Sequence, residues 1–198
     1  MLRPIAYWQD FPPNGNIVAT IWGGGNPASW WGALSAIIIL GLQVVFEPER
    51  RGLPRTFLVL SYVAYLAIWV PITRSMFLYH YMAAEYVGYI ALAVVLADCW
   101  EGKALLPEKV ALLLTLTPAL FLGLGTGVGV VLTLAMLLTF LALLGQEGYD
   151  GKFVCAIFVG AVVVLFFYYV PIWLALPIQR SGYYARMWLQ GSGLNSWI

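Results

Sequence analysis

The chain has 198 residues, of which 62% are hydrophobic, 16% aromatic and 10% charged, with a mean hydropathy of +0.86 and a net charge of +1. A soluble domain carries about 25% charged and about 45–50% apolar residues. A water-soluble enzyme and a disordered chain are therefore both excluded, and a polytopic membrane protein remains. The balanced charge offers no basic surface for a phosphate backbone, so nucleic acid is not expected as a partner.

Residues 1–28 mix Pro, Asn, Gly and Trp and are expected to form an external pre-membrane segment. They lack the continuous apolar core of a signal peptide. Trp8, Trp22, Trp30 and Trp31 are expected as interface anchors, because indole favours the headgroup boundary. The glycines at 23–26 (GGGN) follow no predicted strand and read as a plain turn.

The first span is predicted over 29–46, long enough for a bilayer core of about 30 Å. EPERRGLPR at 47–55 follows, and its Arg50, Arg51 and Arg55 place that loop in the cytoplasm by the positive-inside rule. A second span is predicted over 56–72, ending at Pro71, and a third over 81–100, followed by EGKALLPEK at 101–109. The stretch 110–144 would make roughly 52 Å of helix, too long for one crossing. Its glycines at 123–129 and Pro118 suggest a hairpin of two short helices, 110–124 and 128–144. The last span is predicted over 153–176, and 177–198 reads as an external amphipathic tail. The expected fold is all-α, a transmembrane helix bundle of about six spans. Counting charges on the loops does not separate six spans from five.

The single histidine and two cysteines have no metal-ligand spacing, so no metal or other cofactor is expected. Cys99 and Cys155 read as small buried thiols. Ionisable groups at membrane depth are expensive and face a cavity or a partner. Arg74 and His80 flank an aromatic run with Tyr79 and Tyr81. This run reads either as an interfacial loop with anchors or as an anion site, where Arg supplies bidentate donors and the rings a stacking face for a sugar. Glu85 shares a helical face with Tyr81 and reads as a structural acid or as a partner of Arg74 or a tail arginine. Asp98 is expected to reach the inner interface. The tail interleaves Arg180, Tyr183, Tyr184, Arg186 and Trp188. The acids form no pair on the outer side, so a complete acid–base constellation is not visible.

Four separated segments resemble the C-terminal four-transmembrane region of the protein O-mannosyltransferases. GNPASWW at 25–31 is similar to that family's GNP-x-x-WW approach to a span. ITRSMFLYHYM at 72–82 is similar to its R-x-x-F-L-Y-H-Y segment, preceded here by Trp69-Val70-Pro71. YYVPIWLALPI at 168–178, then YYARMWL at 183–189 and the closing Ser196-Trp197-Ile198, resemble its last span and terminus. MLRPIAYW at 1–8 resembles the stretch before GNP. The stretch 101–152 and Ala84-Glu85 depart from the pattern.

The resemblance implies a GT-C type glycosyltransferase. Its donor would be dolichyl- or polyprenyl-phosphate mannose, and its acceptors Ser or Thr hydroxyls of secreted or membrane proteins. It also implies that Arg74, Tyr79, His80 and Tyr81 line the lipid-phosphate-sugar site, with Glu85, Arg180 and Arg186 in support. In such enzymes an Asp-Glu pair in the first external loop acts as the base. That loop belongs to an N-terminal half, so this chain is expected to be a C-terminal domain needing such a half as partner. The family's tail is external, which favours six spans. The other readings are a non-catalytic membrane subunit and a small transporter. The absence of an ER-retrieval tail points to a bacterial plasma membrane.

Overall fold

The computed structural model describes residues 5–12, 15–71, 79–124, 126–144, 146 and 148–186. Two strands, β1 (Ile5–Asp10) and β2 (Ile17–Gly23), precede helices α1 (Pro27–Phe46), α2 (Leu53–Ala67), α3 (Tyr79–Trp100), α4 (Leu106–Leu124), α5 (Thr126–Leu143) and α6 (Tyr149–Trp173). A two-residue strand, β3 (Ile178–Gln179), and a short helix, α7 (Arg180–Ala185), follow. The fold is an all-α membrane bundle with a small sheet at one end. By length and composition α1, the stretch Tyr81–Trp100 of α3, and α6 can each cross a membrane; Leu53–Ala67 and Gly127–Leu143 are shorter apolar helices.

Local chemistry sets the helix ends. Asn26 caps α1, its Oδ1 accepting from the Ala28 and Ser29 amides at 3.0 and 3.4 Å, and Pro27 sits where no helical N–H is needed. Arg51 donates to the Val44 and Val45 carbonyls at the other end of α1, at 2.6 and 3.1 Å, where a cation satisfies orphan acceptors. Gly102, at φ +73°, turns the chain out of α3. The helices α4 and α6 begin before their apolar runs because charged residues fit their first turns. Glu108 accepts from the Leu105 amide at 2.8 Å, and Asp150 lies near the start of α6. α2 ends earlier than its apolar run, and 68–71 form a turn.

The bundle is built around α1, which packs on α2, α3, α4 and α6. Its core holds Leu40, Leu112, Leu113, Leu116, Phe158 and Leu165, all under 2% exposed. The outer surface is apolar too: Ile38, Phe57, Val131, Leu138 and Phe167 stand exposed, as suits a solvent of hydrocarbon. Glycine sets the closest approaches. A Cβ on Gly32 would lie 2.3 Å from the Phe158 ring, and one on Gly151 would lie 2.1 Å from the Cys99 carbonyl oxygen. The turn between α4 and α5 falls within the predicted glycine stretch, and Gly129 packs against the Phe121 backbone.

The sheet corrects the reading of residues 1–28. A strand does precede the glycines at 23–26. β1 and β2 pair antiparallel from Ile5 opposite Gly23 to Asp10 opposite Ala19, with a bulge between Ala6 and Trp8. β2 pairs antiparallel with β3, Ile17 opposite Gln179 and Val18 opposite Ile178. Val18, Thr20 and Trp22 alternate inward. Trp22 is thus a core residue, 3% exposed and 6.1 Å from the Tyr183 ring, whereas Trp8 is exposed. Because β2 enters α1 and β3 follows α6, the segments before and after the six long helices lie at one end of the bundle.

Candidate functional site

Helices α1 and α3 run parallel, with Gly88 packed against Ala33. Seven residues back along each, Tyr81 and Asn26 stand at one level, the sheet end. There the Asn26 Nδ2 donates to the Val162 carbonyl at 2.7 Å. α6 continues past that contact over 162–173, about 16 Å of helix. The first turns of α1 and α3 are therefore recessed below the top of α6 and the sheet that packs on it.

Polar side chains gather on this recessed floor. The Tyr62 and Tyr81 hydroxyls share a hydrogen bond of 2.9 Å, joining α2 to α3. One turn further, Glu85 is buried at 6% exposure and accepts from the Tyr89 hydroxyl. Met82, Glu85, Tyr86 and Tyr89 recur at helical spacing and line a cavity of about 150 Å³. Among the described residues Glu85 has no arginine or lysine partner. Its expected pairing with a tail arginine is not formed. Tyr79 and His80 begin α3, which places their backbone at the same end. Arg74 lies outside the described residues.

The tail arginines tie the tail to the N-terminal segment and to α6. Arg180 donates from its amide to the Asn16 carbonyl at 2.7 Å and from its guanidinium to the Pro12 carbonyl at 2.8 Å, over the Phe11 ring. Arg186 donates to the Tyr168 and Gly182 carbonyls, both at 2.7 Å, and lies 4.3 Å over the Tyr168 ring. Tyr183 packs edge-on against Phe11 at 4.9 Å, and its burial pushes the phenol up to about 12.

The opposite end holds an ion network that sequence reasoning missed. Arg55 reaches Asp98 at 2.8 and 3.0 Å. Arg50 reaches Glu108 at 2.8 Å, Glu47 at 2.9 Å and Asp98 at 3.3 Å. Gln43 donates to Glu108 at 2.6 Å and accepts from Arg55. Lys109 pairs with Asp150 at 2.7 Å. Burial pulls the Arg50 guanidinium down, but Glu108 and Glu47 outweigh it and hold it above its ordinary value. Each of these charged groups has an opposite-charge partner, so the network locks the loop ends together. Cys99 and Cys155 are both buried and free. No group of three metal-ligating side chains occurs among the described residues.

These features define a helical, multi-pass membrane domain with a polar recess at its sheet end. A family model described as the C-terminal four TMM region of protein-O-mannosyltransferase matches residues 1–192. The chain belongs to that family. The match runs through α4 and α5, so the stretch that departs from the family's motifs lies within its bounds. No curated protein and no solved structure matches the chain.

Proposed function

We propose that this chain is the donor-holding membrane domain of a protein O-mannosyltransferase. It grips dolichyl- or polyprenyl-phosphate mannose at the sheet end, for transfer of mannose to Ser or Thr of a secreted or membrane protein. The observation that carries this reading is the family match over residues 1–192. The recess at the start of α3 supports it. A lipid-linked donor arrives through the bilayer with its leaving group attached, so the protein need only hold the phosphate and orient the sugar. Arg74 and His80 are the phosphate donors in this reading, with the Tyr79 and Tyr81 hydroxyls beside them.

The base that deprotonates the acceptor hydroxyl belongs to a different polypeptide segment, in this reading an N-terminal half-enzyme. Its support is chemical: among the described residues the acids at the sheet end are Asp10, on β1, and Glu85, on α3. They form no pair. The site faces the outer side of the membrane, opposite the arginine-rich loop 47–55, and the membrane is a bacterial plasma membrane.

The test is binding of a polyprenyl-phosphate-mannose analogue to the purified full chain in nanodiscs. Arg74→Ala and His80→Ala should each weaken binding about tenfold or more, the scale of one charge-assisted hydrogen bond. Unchanged affinity in both variants would remove the site assignment.

A further inference from the structure

Glu85 stands apart from the other buried acids. Asp98 and Glu108 each meet an arginine at 2.8 Å. Glu85 has one protein partner among the described residues, the Tyr89 hydroxyl on its Oε1. A buried carboxyl group at membrane depth is costly unless its oxygens find hydrogen-bond donors. Hydrogen-bond donors from a bound molecule offset that cost, and the cavity that Glu85 lines is where such a molecule fits.

The walls narrow the chemistry. Among the described residues that line the cavity, Met82, Tyr86 and Tyr89 supply two aromatic rings and a thioether beside the Glu85 carboxyl. A phosphate or carboxylate would be repelled by Glu85. A hydroxyl-rich ring with an apolar face fits both requirements: its O–H groups donate to the carboxylate and its C–H face lies on a tyrosine ring. The volume, about 150 Å³, is on the scale of one monosaccharide. Along α3, Glu85 lies five residues beyond His80, about 7.5 Å of rise. That is the reach of a single sugar from a phosphate held at the start of the helix.

We propose that Glu85, positioned by Tyr89 and flanked by Tyr86, recognises the hydroxyls of the sugar on the lipid-linked donor. The inference rests on the proposed function, which places the donor phosphate at the start of α3. It adds that the sugar is read by this chain and identifies the residue that reads it.

Two lipids separate the claims: bare polyprenyl phosphate and polyprenyl-phosphate mannose, each titrated against the full chain in nanodiscs. The wild type should bind the mannosylated lipid about tenfold tighter than the bare one, the worth of hydrogen bonds to a charged acceptor. Glu85→Gln should bring the two affinities together by weakening the mannosylated lipid, with the bare lipid as control. Tyr86→Ala, at a side chain that is 62% exposed and outside the packed core, should reduce the same preference severalfold. It decides the matter alone if the Glu85 variant does not fold. Equal wild-type affinities, or a preference kept in the variants, would overturn the sugar-reading role and leave the phosphate site standing. A wild type that binds neither lipid would overturn the proposed function and this inference with it.

Discussion

Arg55 grips Asp98 with two nitrogens while Arg50 touches the same carboxylate, so one acid side chain, 8% exposed, ties the loop after α1 and the start of α2 to the end of α3. Removing one partner of a buried pair leaves the other desolvated and uncompensated, which costs more than the pair contributes. Asp98→Asn should therefore destabilise the folded domain by roughly 3 kcal/mol, read as a lowered unfolding midpoint in detergent. Lys103 pairs with Glu101 in solvent, with side chains 65% and 52% exposed. Screening removes most of such a pair's worth, so Lys103→Ala should not move the midpoint. Equal shifts in the two variants would show that burial is not what gives the network its value. Asp98 was visible in the sequence as an acid near the inner end of a span. Its partners were not. Arg50 and Arg55 share the loop at 47–55 while Glu108 and Asp150 lie in two later ones, and each in isolation looks like a side chain reaching for the interface. Pairings over 43 to 58 residues follow from helix packing, which sequence periodicity does not encode.

Between elements, the closest contacts fall where glycine removes the side chain. Gly151, in the first turn of α6, lies against the Cys99 carbonyl at the end of α3, where a Cβ would stand 2.1 Å from the oxygen. Neither backbone can yield without shifting a helix. Gly160, further along α6, has nothing within 4 Å of a built Cβ. Gly151→Ala should destabilise by about 1–3 kcal/mol, the usual cost of overpacking, and Gly160→Ala should be neutral or slightly stabilising, because alanine favours the helix. Thermal unfolding of the two variants side by side checks this; equal losses would sink the packing argument. The helices themselves were legible because apolar runs at membrane length leave few alternatives. The first span was expected from 29, and α1 begins two residues earlier, at Pro27, because Asn26 caps it. The sheet was harder to see. IVATIWG at 17–23 has the β-branched content and inward alternation of a strand. Its partner β3 is two residues long and lies more than 150 residues away, so nothing local announces the pairing. At the candidate site, the sequence marked Glu85 as expensive, but not that Tyr89, one turn on, holds it.

For the whole molecule, the long-range pairing of β2 with β3 bears on topology. One strand feeds α1 and the other follows α6, so the chain must cross between the two ends of the bundle an even number of times. Charge counting on the loops does not settle five crossings against six, because moving a single cation from one side to the other separates the two counts. The strand pairing leads us to expect an even count, since an odd one would carry Ile178 and Gln179 to the end away from Ile17 and Val18. Exposed positions report the difference. Gln9 on β1, Ser181 on α7 and Glu49 in the arginine-rich loop all face out, while the native Cys99 and Cys155 are buried. In intact cells, a membrane-impermeant maleimide should label Gln9→Cys and Ser181→Cys alike, and should reach Glu49→Cys only after the membrane is opened. Labelling of Gln9→Cys without Ser181→Cys would contradict the pairing of β2 with β3, and with it the placement of both chain segments at one end of the bundle.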